Sequence, residues 1–477
     1  MTIAAIDQGT TSTRALALQP DGTAAVVKAI EHRQIYPQAG WVEHDPQELI
    51  ASIRACADAV GELPGGLEAL GIDNQGESCL AWDAETKEPV SPVIVWQDSR
   101  TTAVIEGLKR DGAEALTLER AGLPLDSYFS AAKLAWIVEN IPEAKRLLAQ
   151  GRLRLGTTDA FFLHRLTGCC VTDITTASRT SLMNMTSGQW DTELCRLFGV
   201  PVETLPEIVP TTGDFGAMTI DGRAVPVTAS LVDQQAALYG HGCRQAGDGK
   251  ITFGTGAFAL MVTGVEILRA PAQGLLPTVA WQCAGEAPVY ALDGGVYSAS
   301  AAVNWGRSLG LFDSFDWLND LEGEAAIDKG LAFVPALSGL ACPHWDRRAR
   351  GVWFGLSIEH GPADLMKSIL EGVAFRAAEV IGAMSALVPA NGPLSIDGGL
   401  SRNPYFIHFL AEVLERELSI STNAELTGSG TAQLAALGCG QAITARGQAR
   451  TVLPERLRGG LLTVFAEAVA GARSWRP

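Results

Sequence analysis

The stretch "AAIDQGTTSTRALAL" (Ala4–Leu18) decides how the rest of the chain is interpreted. Small apolar residues on either side predict two β-strands, and the short connection between them is crowded with glycine, threonine and serine. Such a turn offers backbone N–H groups and hydroxyl donors with no bulky side chain in the way, which suits a phosphate group. The alternative is an ordinary tight turn, because most hairpins of this composition bind nothing.

A second stretch, "GKITFGTGAFALMVTG" (Gly249–Gly264), repeats this pattern of strand, Gly-Thr turn and strand. One such hairpin is weak evidence, but one in each half indicates two duplicated domains that hold a nucleotide from opposite sides of a cleft. Between the apolar strands lie helical patterns such as "DPQELIASIRACADAVGEL", with Asp45 as N-cap, and "SAAKLAWIVENIPEAKRLLAQG". This alternation predicts an α/β fold, and the domain boundary is expected within "GHGCRQAGDGK", residues 240–250.

Composition narrows the class of protein. With 477 residues and 47% hydrophobic side chains, the chain is long enough to bury at least two cores. Its net charge of −17 argues against nucleic acid as a partner, and its apolar runs are too short to span a bilayer. The nine cysteines form no CxxC pair, which is typical of reduced core cysteines. We therefore expect a cytoplasmic protein without a cleavable leader and without a membrane partner.

Several common catalytic motifs are missing. The sequence has no complete Walker A loop, no GxGxxG opening a helix, no HExxH and no GxSxG elbow. A nucleotide site in this chain would therefore depend on the two hairpin turns.

Three predicted strands end in polar residues. "VTASLVDQQAALYG" places Asp233 and Gln234 directly after a strand, "GIDNQGES" does the same for Glu77, and "VIVWQDSR" for Trp96. The carboxyl ends of strands are where α/β folds place their chemistry. The alternatives are a helix N-cap for Asp233 and core packing for Trp96.

The order and spacing of several motifs are together highly specific. They are "IDQGTTSTR", "GWVEHDP", "NQGES", "VWQDSRT", "DSYFSAAK", "TDITTASRT", "DQQAALYGHG", "FGTGAF", "AFVPALSGLACPHWDRRARG" and "DGGLSRNPY". From Ile3 to about Gly440 the chain resembles the FGGY family of carbohydrate kinases, and most of all its members that act on glycerol. The resemblance implies two duplicated actin-like (ribonuclease-H-like) α/β domains flanking an ATP cleft. Residues 1–243 would carry the polyol site and the first phosphate turn, and residues 244–477 the second phosphate turn and the adenosine site.

The resemblance also implies ATP as the phosphate donor and Mg²⁺ as its metal ion, with Asp7 and Asp233 beside the metal. The expected ATP-binding residues are Gly9, Thr10, Thr11 and Ser12 at the first turn with Arg14 nearby, Thr255 and Gly256 in the second turn, Asn304 nearer the ribose and phosphates, and Gly398, Gly399 and Asn403 at the adenosine.

The implied reaction is ATP-dependent phosphorylation of a small polyol, with glycerol converted to glycerol 3-phosphate by a homodimeric enzyme. An alcohol is a poor nucleophile, so a carboxylate must accept its proton, and Asp233 is expected in that role. The expected polyol-binding residues are Gly76, Glu77, Trp96, Tyr128, Asp233, Gln234 and Phe258.

One position departs from the family pattern. Gly76 gives "NQGE" where members that act on glycerol usually carry arginine, as in "NQRE". A substrate-binding guanidinium is therefore missing, which leaves open a longer polyol or ketose: a tetritol, a pentitol or a ketopentose such as ribulose or xylulose. A non-enzymatic actin-like relative is the other alternative, although it would have no reason to keep Asp233, Glu77 and Trp96 together.

Overall fold

The computed structural model describes residues 2–441, 443 and 449–475 and contains two large β-sheets with helices packed on their faces. In the first half, the strands are β1 (Thr2–Gln8), β2 (Ser12–Leu18), β3 (Ala24–Glu31), β4 (Glu43–His44), β5 (Leu67–Asn74), β6 (Cys79–Asp83), β7 (Val93–Ile94), β8 (Leu153–Thr157), β9 (Val171–Asp173), β10 (Met183–Asn184), β11 (Gln189–Trp190), β12 (Glu207–Val209), β13 (Ala217–Ile220) and β14 (Arg223–Val232). The helices are α1 (Pro46–Gly61), α2 (Thr102–Arg110), α3 (Glu114–Arg120), α4 (Ser130–Asn140), α5 (Pro142–Ala149), α6 (Thr158–Leu166), α7 (Ile174–Ala177), α8 (Thr192–Phe198) and α9 (Asp233–Gly240).

The second half of the chain likewise combines strands and helices. Its strands are β15 (Gly249–Phe253), β16 (Ala257–Gly264), β17 (Leu276–Trp281), β18 (Val289–Val296), β19 (Ala332–Val334), β20 (Val352–Phe354), β21 (Leu394–Gly398), β22 (Leu418–Ser421) and β23 (Ala449–Val452). Its helices are α10 (Ser300–Ser308), α11 (Phe315–Asn319), α12 (Pro362–Ser385), α13 (Pro404–Leu414), α14 (Leu426–Gly438) and α15 (Leu461–Ser474).

The two large sheets share one topology. The first has the order β13-β14-β5-β1-β2-β3, in which β1, β2 and β3 are antiparallel and β5 and β14 run parallel to β1. The second has the order β17-β18-β16-β15-β21-β22-β23, in which β15, β16 and β18 are antiparallel and β21 and β22 run parallel to β15. The predicted duplicated α/β fold is confirmed, and the two Gly-Thr hairpins occupy equivalent positions in it.

Both faces of the first sheet are buried. Side chains of a strand alternate between faces, so Ala4 and Ile6 of β1 join a core with α1, whereas Ile3 joins one with α14. Helix α14 comes from the second half of the chain and packs on β1, β2, β5 and β14. The Thr431 hydroxyl on this helix donates a 2.6 Å hydrogen bond to the Asp73 carboxylate of β5. The two halves therefore interlock, and a boundary between residues 243 and 244 stays a prediction.

Of the two helices predicted above, the first is confirmed and the second is divided into two helices. Helix α1 begins at Pro46 behind the predicted cap, because the Asp45 carboxylate accepts from the N–H of Gln47 at 2.9 Å. The predicted helical stretch from Ser130 is in fact two helices, α4 and α5, separated by Ile141. A residue that precedes proline is held out of the helical region, and Pro142 imposes this on Ile141.

Two further predictions concern the oxidation state of the cysteines and the absence of a membrane-spanning segment. All nine cysteines are free thiols. Across the part of the chain that the structure describes, no helix has both the length and the apolar composition to cross a membrane.

Helices α9 and α14 approach each other backbone to backbone between the sheets. A Cβ atom on Gly430 would lie 1.9 Å from the Ala236 carbonyl oxygen, and one on Gly240 would lie 2.1 Å from that of Leu426. Since α9 begins with Asp233, this contact fixes the helix that carries the expected base.

Gly430→Ala is predicted to separate α9 from α14 and to lower both the melting temperature and the turnover. Overpacking of this kind costs about 1–3 kcal/mol or more. Gly382→Ala is the matched control, because Gly382 lies within α12 and a Cβ there meets nothing within 4 Å. That change should be neutral or slightly stabilising. Calorimetry and steady-state rates on both variants check the idea, and equal behaviour of the two would contradict it.

Candidate active site

Three parallel strands of the first sheet end side by side, and their ends form a cavity. In the sheet register, Asn74 at the end of β5 pairs with Gln8 of β1 and with Val232 of β14. The residues that follow these ends meet at one edge of the sheet, opposite β16 and β18 of the second half. The cavity has a volume of about 150 Å³ and is lined by Thr10, Gln75, Gly76, Glu77, Trp96, Tyr128, Arg179, Val232, Asp233, Gln234, Gln235, Phe258, Leu260 and Asp293. Every predicted polyol-binding residue is in this set.

Asp233 lies at the start of α9 and faces the cavity. The helix-cap alternative is not what the structure shows, since the cap position is Val232 and Asp233 is the first helical residue. Its Oδ1 accepts from the Gln234 N–H at 2.6 Å. Burial, with the nearby Asp7 and Glu77 carboxylates, raises the pKa of Asp233 to about 7, against the opposing effect of Lys250. A carboxylate whose pKa is near neutrality is a good proton acceptor.

Asp7 and Asp73 form a second acidic feature next to Asp233. The two residues pair in register on β1 and β5. Burial, together with the neighbouring Asp7, raises the pKa of Asp73 well above its usual range. Burial also raises the pKa of Asp7, opposed by its hydrogen bond with Asp73 and by the positive charge of Arg14. Apart from its contact with Asp7, the Asp73 Oδ1 atom is buried without a hydrogen-bond partner among the described residues.

This acid pair fits a divalent cation that is held mainly by a nucleotide. No group of three or more His, Cys, Asp and Glu side chains suited to a metal ion occurs among residues 2–441, 443 and 449–475. Mg²⁺ does not require such a group, because it commonly keeps several waters and binds one or two carboxylates plus substrate phosphates. Crowded, desolvated carboxylates also favour a nearby positive charge.

The first phosphate turn is connected to the cavity wall by Trp96. The indole N–H of Trp96 donates to the Thr10 hydroxyl oxygen at 3.0 Å, which leaves the Thr10 hydroxyl proton free for another acceptor. The Trp96 ring packs edge-on against Tyr128 at 5.6 Å and against Phe258 at 6.5 Å between ring centroids. Phe258 belongs to β16, so aromatic rings from both halves enclose the cavity. Trp96 is therefore more than a core-packing residue, because it also lines the cavity and bonds Thr10.

Glu77 is held in an unusual backbone conformation. Its φ is 59°, in the left-handed region that non-glycine residues rarely adopt. The Ser130 hydroxyl donates to its carbonyl at 3.0 Å, and the Arg179 guanidinium donates to its carboxylate at 2.6 Å. Strain of this kind persists where surrounding contacts enforce it, which often happens at functional sites.

Gln234 is oriented by a buried lysine of the second half. Lys250 Nζ donates to the Gln234 side-chain oxygen at 2.6 Å and to the Thr252 hydroxyl at 2.9 Å. Because the amide oxygen of Gln234 is used in this way, its NH₂ group is the part left for the cavity.

The second turn packs against the start of α10. The Thr255 carbonyl accepts from the N–H groups of Ala299 and Ala301, and the Thr255 residue itself is exposed at the tip of the hairpin. Asn304, one turn further along α10, is also exposed. These residues face open space, as phosphate and ribose contacts would require.

The remaining predicted nucleotide residues are of two kinds. Gly9, Thr10 and Thr11 form the first turn and Ser12 begins β2, whereas in the second half Gly256 lies in the second turn, Gly398 ends β21 and Gly399 directly follows it. Gly398 needs its lack of a side chain, because its φ is 88° and a Cβ would lie 2.3 Å from the Phe253 carbonyl oxygen. Two others are already engaged within the protein: Arg14 pairs with Glu425 at 3.0 Å, and Asn403 caps α13.

Asn403 is only 3% exposed, and its side chain bonds Leu318, Asn319 and Phe406. A contribution of Asn403 to nucleotide binding would therefore act through the loop that it holds.

Sequence reasoning missed four charged residues in or beside the cavity: Asp73, Arg179, Lys250 and Asp293. Asp73, Arg179 and Lys250 lie inside stretches already assigned to a strand or motif, namely "GIDNQGES", "TDITTASRT" and "GKITFGTGAFALMVTG", whereas Asp293 lies in "YALDGGV", which had not been singled out. A charged residue within an otherwise apolar strand was the available signal for Asp73, Lys250 and Asp293.

The duplicated sheets, with an acid-lined cavity beside the first of two phosphate-suited turns, define a two-domain phosphotransferase. Family models agree: the N-terminal domain model of the FGGY family of carbohydrate kinases matches residues 2–240, and its C-terminal domain model matches residues 249–439. The chain belongs to the FGGY family of carbohydrate kinases and is an ATP-dependent kinase.

Individual relatives cover nearly the whole chain. It is 42% identical over 448 residues to a glycerol kinase of Alkalilimnicola ehrlichii, covering 92% of this chain and 90% of the relative. It is 40% identical over 488 residues to a glycerol kinase of Thermus brockianus, covering 99% and 98%. The crystal structure of Plasmodium falciparum glycerol kinase with ADP is similar with a TM-score of 0.91 and 27% identity, covering 99% of this chain and 97% of that one.

Asp233→Asn is predicted to lower turnover by about 100-fold or more while leaving polyol affinity largely intact. The amide keeps the shape and the bond from Gln234 but cannot accept a proton. Steady-state kinetics with ATP and polyol measure this, and near-normal turnover would remove Asp233 from the role of base.

The same variant should be more stable than the wild type at pH 8 without metal or nucleotide. Because the pKa of Asp233 is about 7 when folded and near 4 when unfolded, ionisation of Asp233 costs folded-state stability that grows as pH rises between these values. The gain in melting temperature for Asp233→Asn should therefore shrink at pH 5. A lower melting temperature at pH 8 would show that Asp233 is mainly structural.

Proposed function

We propose that the protein transfers the γ-phosphoryl group of ATP to a terminal hydroxyl of glycerol, giving glycerol 3-phosphate and ADP. The observation that carries this proposal is the position of Asp233: a carboxylate with a pKa near 7 at the wall of a small polar cavity, next to the first phosphate turn. The identity of about 40% to glycerol kinases over most of the chain supports glycerol as the polyol.

In the proposed reaction, Asp233 accepts the hydroxyl proton as the bond from the hydroxyl oxygen to the γ-phosphorus forms. The bond from that phosphorus to the bridging oxygen of ADP breaks in the same step. Phosphoryl transfer needs alignment and charge neutralisation more than covalent participation of the protein. Glu77 and Gln234 would orient the polyol hydroxyls, while Trp96 and Phe258 would flank its carbon chain and exclude water.

The nucleotide would lie between the two turns. Thr10 and its neighbours would contact the transferred phosphate, Thr255 and Gly256 the other phosphates, and the loop around Gly398 the adenosine. Mg²⁺ would lie near Asp7 and Asp233, where it would neutralise phosphate charge. The crowding of Asp7, Asp73 and Asp233 supports that placement, since their mutual repulsion is relieved by a cation.

Two observations favour glycerol over longer or acidic substrates. The cavity is lined by Glu77, Asp233 and Asp293 but only one cationic side chain, Arg179, so a sugar acid would meet net negative charge. Gly76 also leaves little extra room in the cavity. A Cβ atom added to Gly76 would lie only 3.0 Å from Val232 Cγ1, so the space beside this glycine is already filled by Val232. Its φ is not in the left-handed region, so a glycine is not required by backbone strain.

A homodimer and a cytoplasmic location remain predictions.

A coupled assay of ADP release tests the proposal. Glycerol should give a kcat/KM at least about tenfold above that of erythritol, ribitol, ribulose or xylulose, since a mismatched carbon is commonly worth tenfold or more. Asp233→Asn controls for contaminating activity. A ketopentose or tetritol that exceeds glycerol would refute glycerol as the substrate, and ATP turnover indifferent to every polyol would refute the polyol kinase itself.

A further inference from the structure

Arg179 carries the one positive charge among the residues that line the cavity. It follows α7 and is only 4% exposed. Its Nε donates to Glu77 at 2.6 Å, and its Nη2 donates to Asp293 at 2.9 Å. Glu77 belongs to the first half and Asp293 to β18 of the second, so the guanidinium joins the two halves at the cavity wall. Burial lowers the pKa of Arg179, but the two carboxylates raise it above the usual value.

The third guanidinium nitrogen of Arg179 is unused. Nη1 is buried and has no hydrogen-bond partner among the residues that the structure describes. A charged donor left unpaired in this way carries a large desolvation cost, which any oxygen that pairs with it would recover. Other unpaired buried donors occur elsewhere in the structure, but that of Arg179 belongs to a cavity-lining side chain.

We propose that Arg179 binds the substrate directly, by donating from its guanidinium to the hydroxyl oxygen farthest from Asp233. This inference rests on the proposed polyol kinase activity and assigns the residue that selects which hydroxyls the substrate must carry. Asp233 takes the proton of one terminal hydroxyl, and Arg179 holds the hydroxyl at the other end. Gly76 supplies no donor, so Arg179 is the cationic donor of this cavity.

The geometry explains why the donor can be specific. Two of its three nitrogens are fixed by Glu77 and Asp293, so the guanidinium plane cannot rotate to follow a displaced ligand. A fixed fork of donors loses little conformational entropy on binding. A substrate that lacks the far hydroxyl would leave the buried donor unpaired, and sites of this kind reject such analogues strongly.

The test compares the Arg179→Lys variant with the wild type on two ligands: glycerol, and propane-1,2-diol, which lacks the far hydroxyl. Arg179→Lys keeps the charge but cannot bridge both carboxylates and also reach a ligand. Relative to wild type, it should lower kcat/KM for glycerol by about ten- to a hundredfold, mostly through KM. Propane-1,2-diol can enter with its terminal hydroxyl at Asp233 but has no far hydroxyl. Its inhibition constant should therefore change less than threefold in the same variant.

Arg100→Lys is the matched control. Arg100 is also buried, also bonds two carboxylates (Glu43 and Asp98), and also has an unpaired Nη1, but it does not line the cavity. It should lower the melting temperature while leaving KM for glycerol within about twofold of wild type.

A crystal structure of the wild-type enzyme with glycerol gives a measurement that does not depend on a variant folding. An Arg179 guanidinium nitrogen should lie within about 3.2 Å of a glycerol oxygen. Glycerol bound elsewhere in the cavity, with Nη1 unpaired or bonded only to water, would overturn the assignment. Equal losses for glycerol and propane-1,2-diol, or equal losses in the two arginine variants, would also overturn it.

Failure of the proposed function would look different. If the wild type phosphorylates another polyol or a ketose in preference to glycerol, glycerol is the wrong substrate. The Arg179→Lys and Arg100→Lys comparison is then run with the preferred substrate and an analogue deoxygenated at its far end. The same difference between variants supports the role of Arg179, and its absence refutes it.

Discussion

The parallel pairing of β1, β5 and β14 is the constraint on which the site depends. Their carboxyl ends lie in register at one edge of the first sheet, and the chain continues from these ends into the first phosphate turn, the Glu77 loop and Asp233. Hydrogen bonds of the sheet thus hold acids together that would otherwise repel each other in a poorly hydrated space. The raised pKa values of Asp7, Asp73 and Asp233 express this cost. A metal-bound nucleotide is the kind of ligand that would compensate for it.

Positive charge is supplied sparingly and from both halves of the chain. Lys250 of the second half bonds Gln234 of the first, and Arg179 joins Glu77 to Asp293. The contacts that orient Gln234 and Glu77 in the cavity wall are therefore also contacts between the two halves. Because α9 lies between the sheets against α14, a change in their relative position would alter the alignment of Asp233 with the second phosphate turn. The shape of the cavity wall and the relative position of the two halves are physically linked by these few charged side chains.

Much of this was predictable from local patterns. The two hairpins, helix α1 with its Asp45 cap, and the polar strand ends at Glu77, Trp96 and Asp233 are encoded within short windows. The break at Ile141 was also readable, since Pro142 follows it. Arg179 was not readable, because its partner Glu77 lies 102 residues away and only the folded chain brings them together. The bond of Asp73 to Thr431 was not predictable either, because it spans 358 residues, although the charge within an apolar strand was a signal for Asp73 itself.

The packing of α14 on the first sheet has a consequence for biosynthesis. The ribosome completes β1, β2, β5 and β14 long before Leu426–Gly438, and every strand of the second sheet except β23 is made in between. At about 5–20 residues per second, the apolar face around Ile3, Ala229 and Leu231 waits about ten to forty seconds for its cover. The nascent first half therefore leaves this face uncovered until α14 has been made, which makes it a natural client for chaperones.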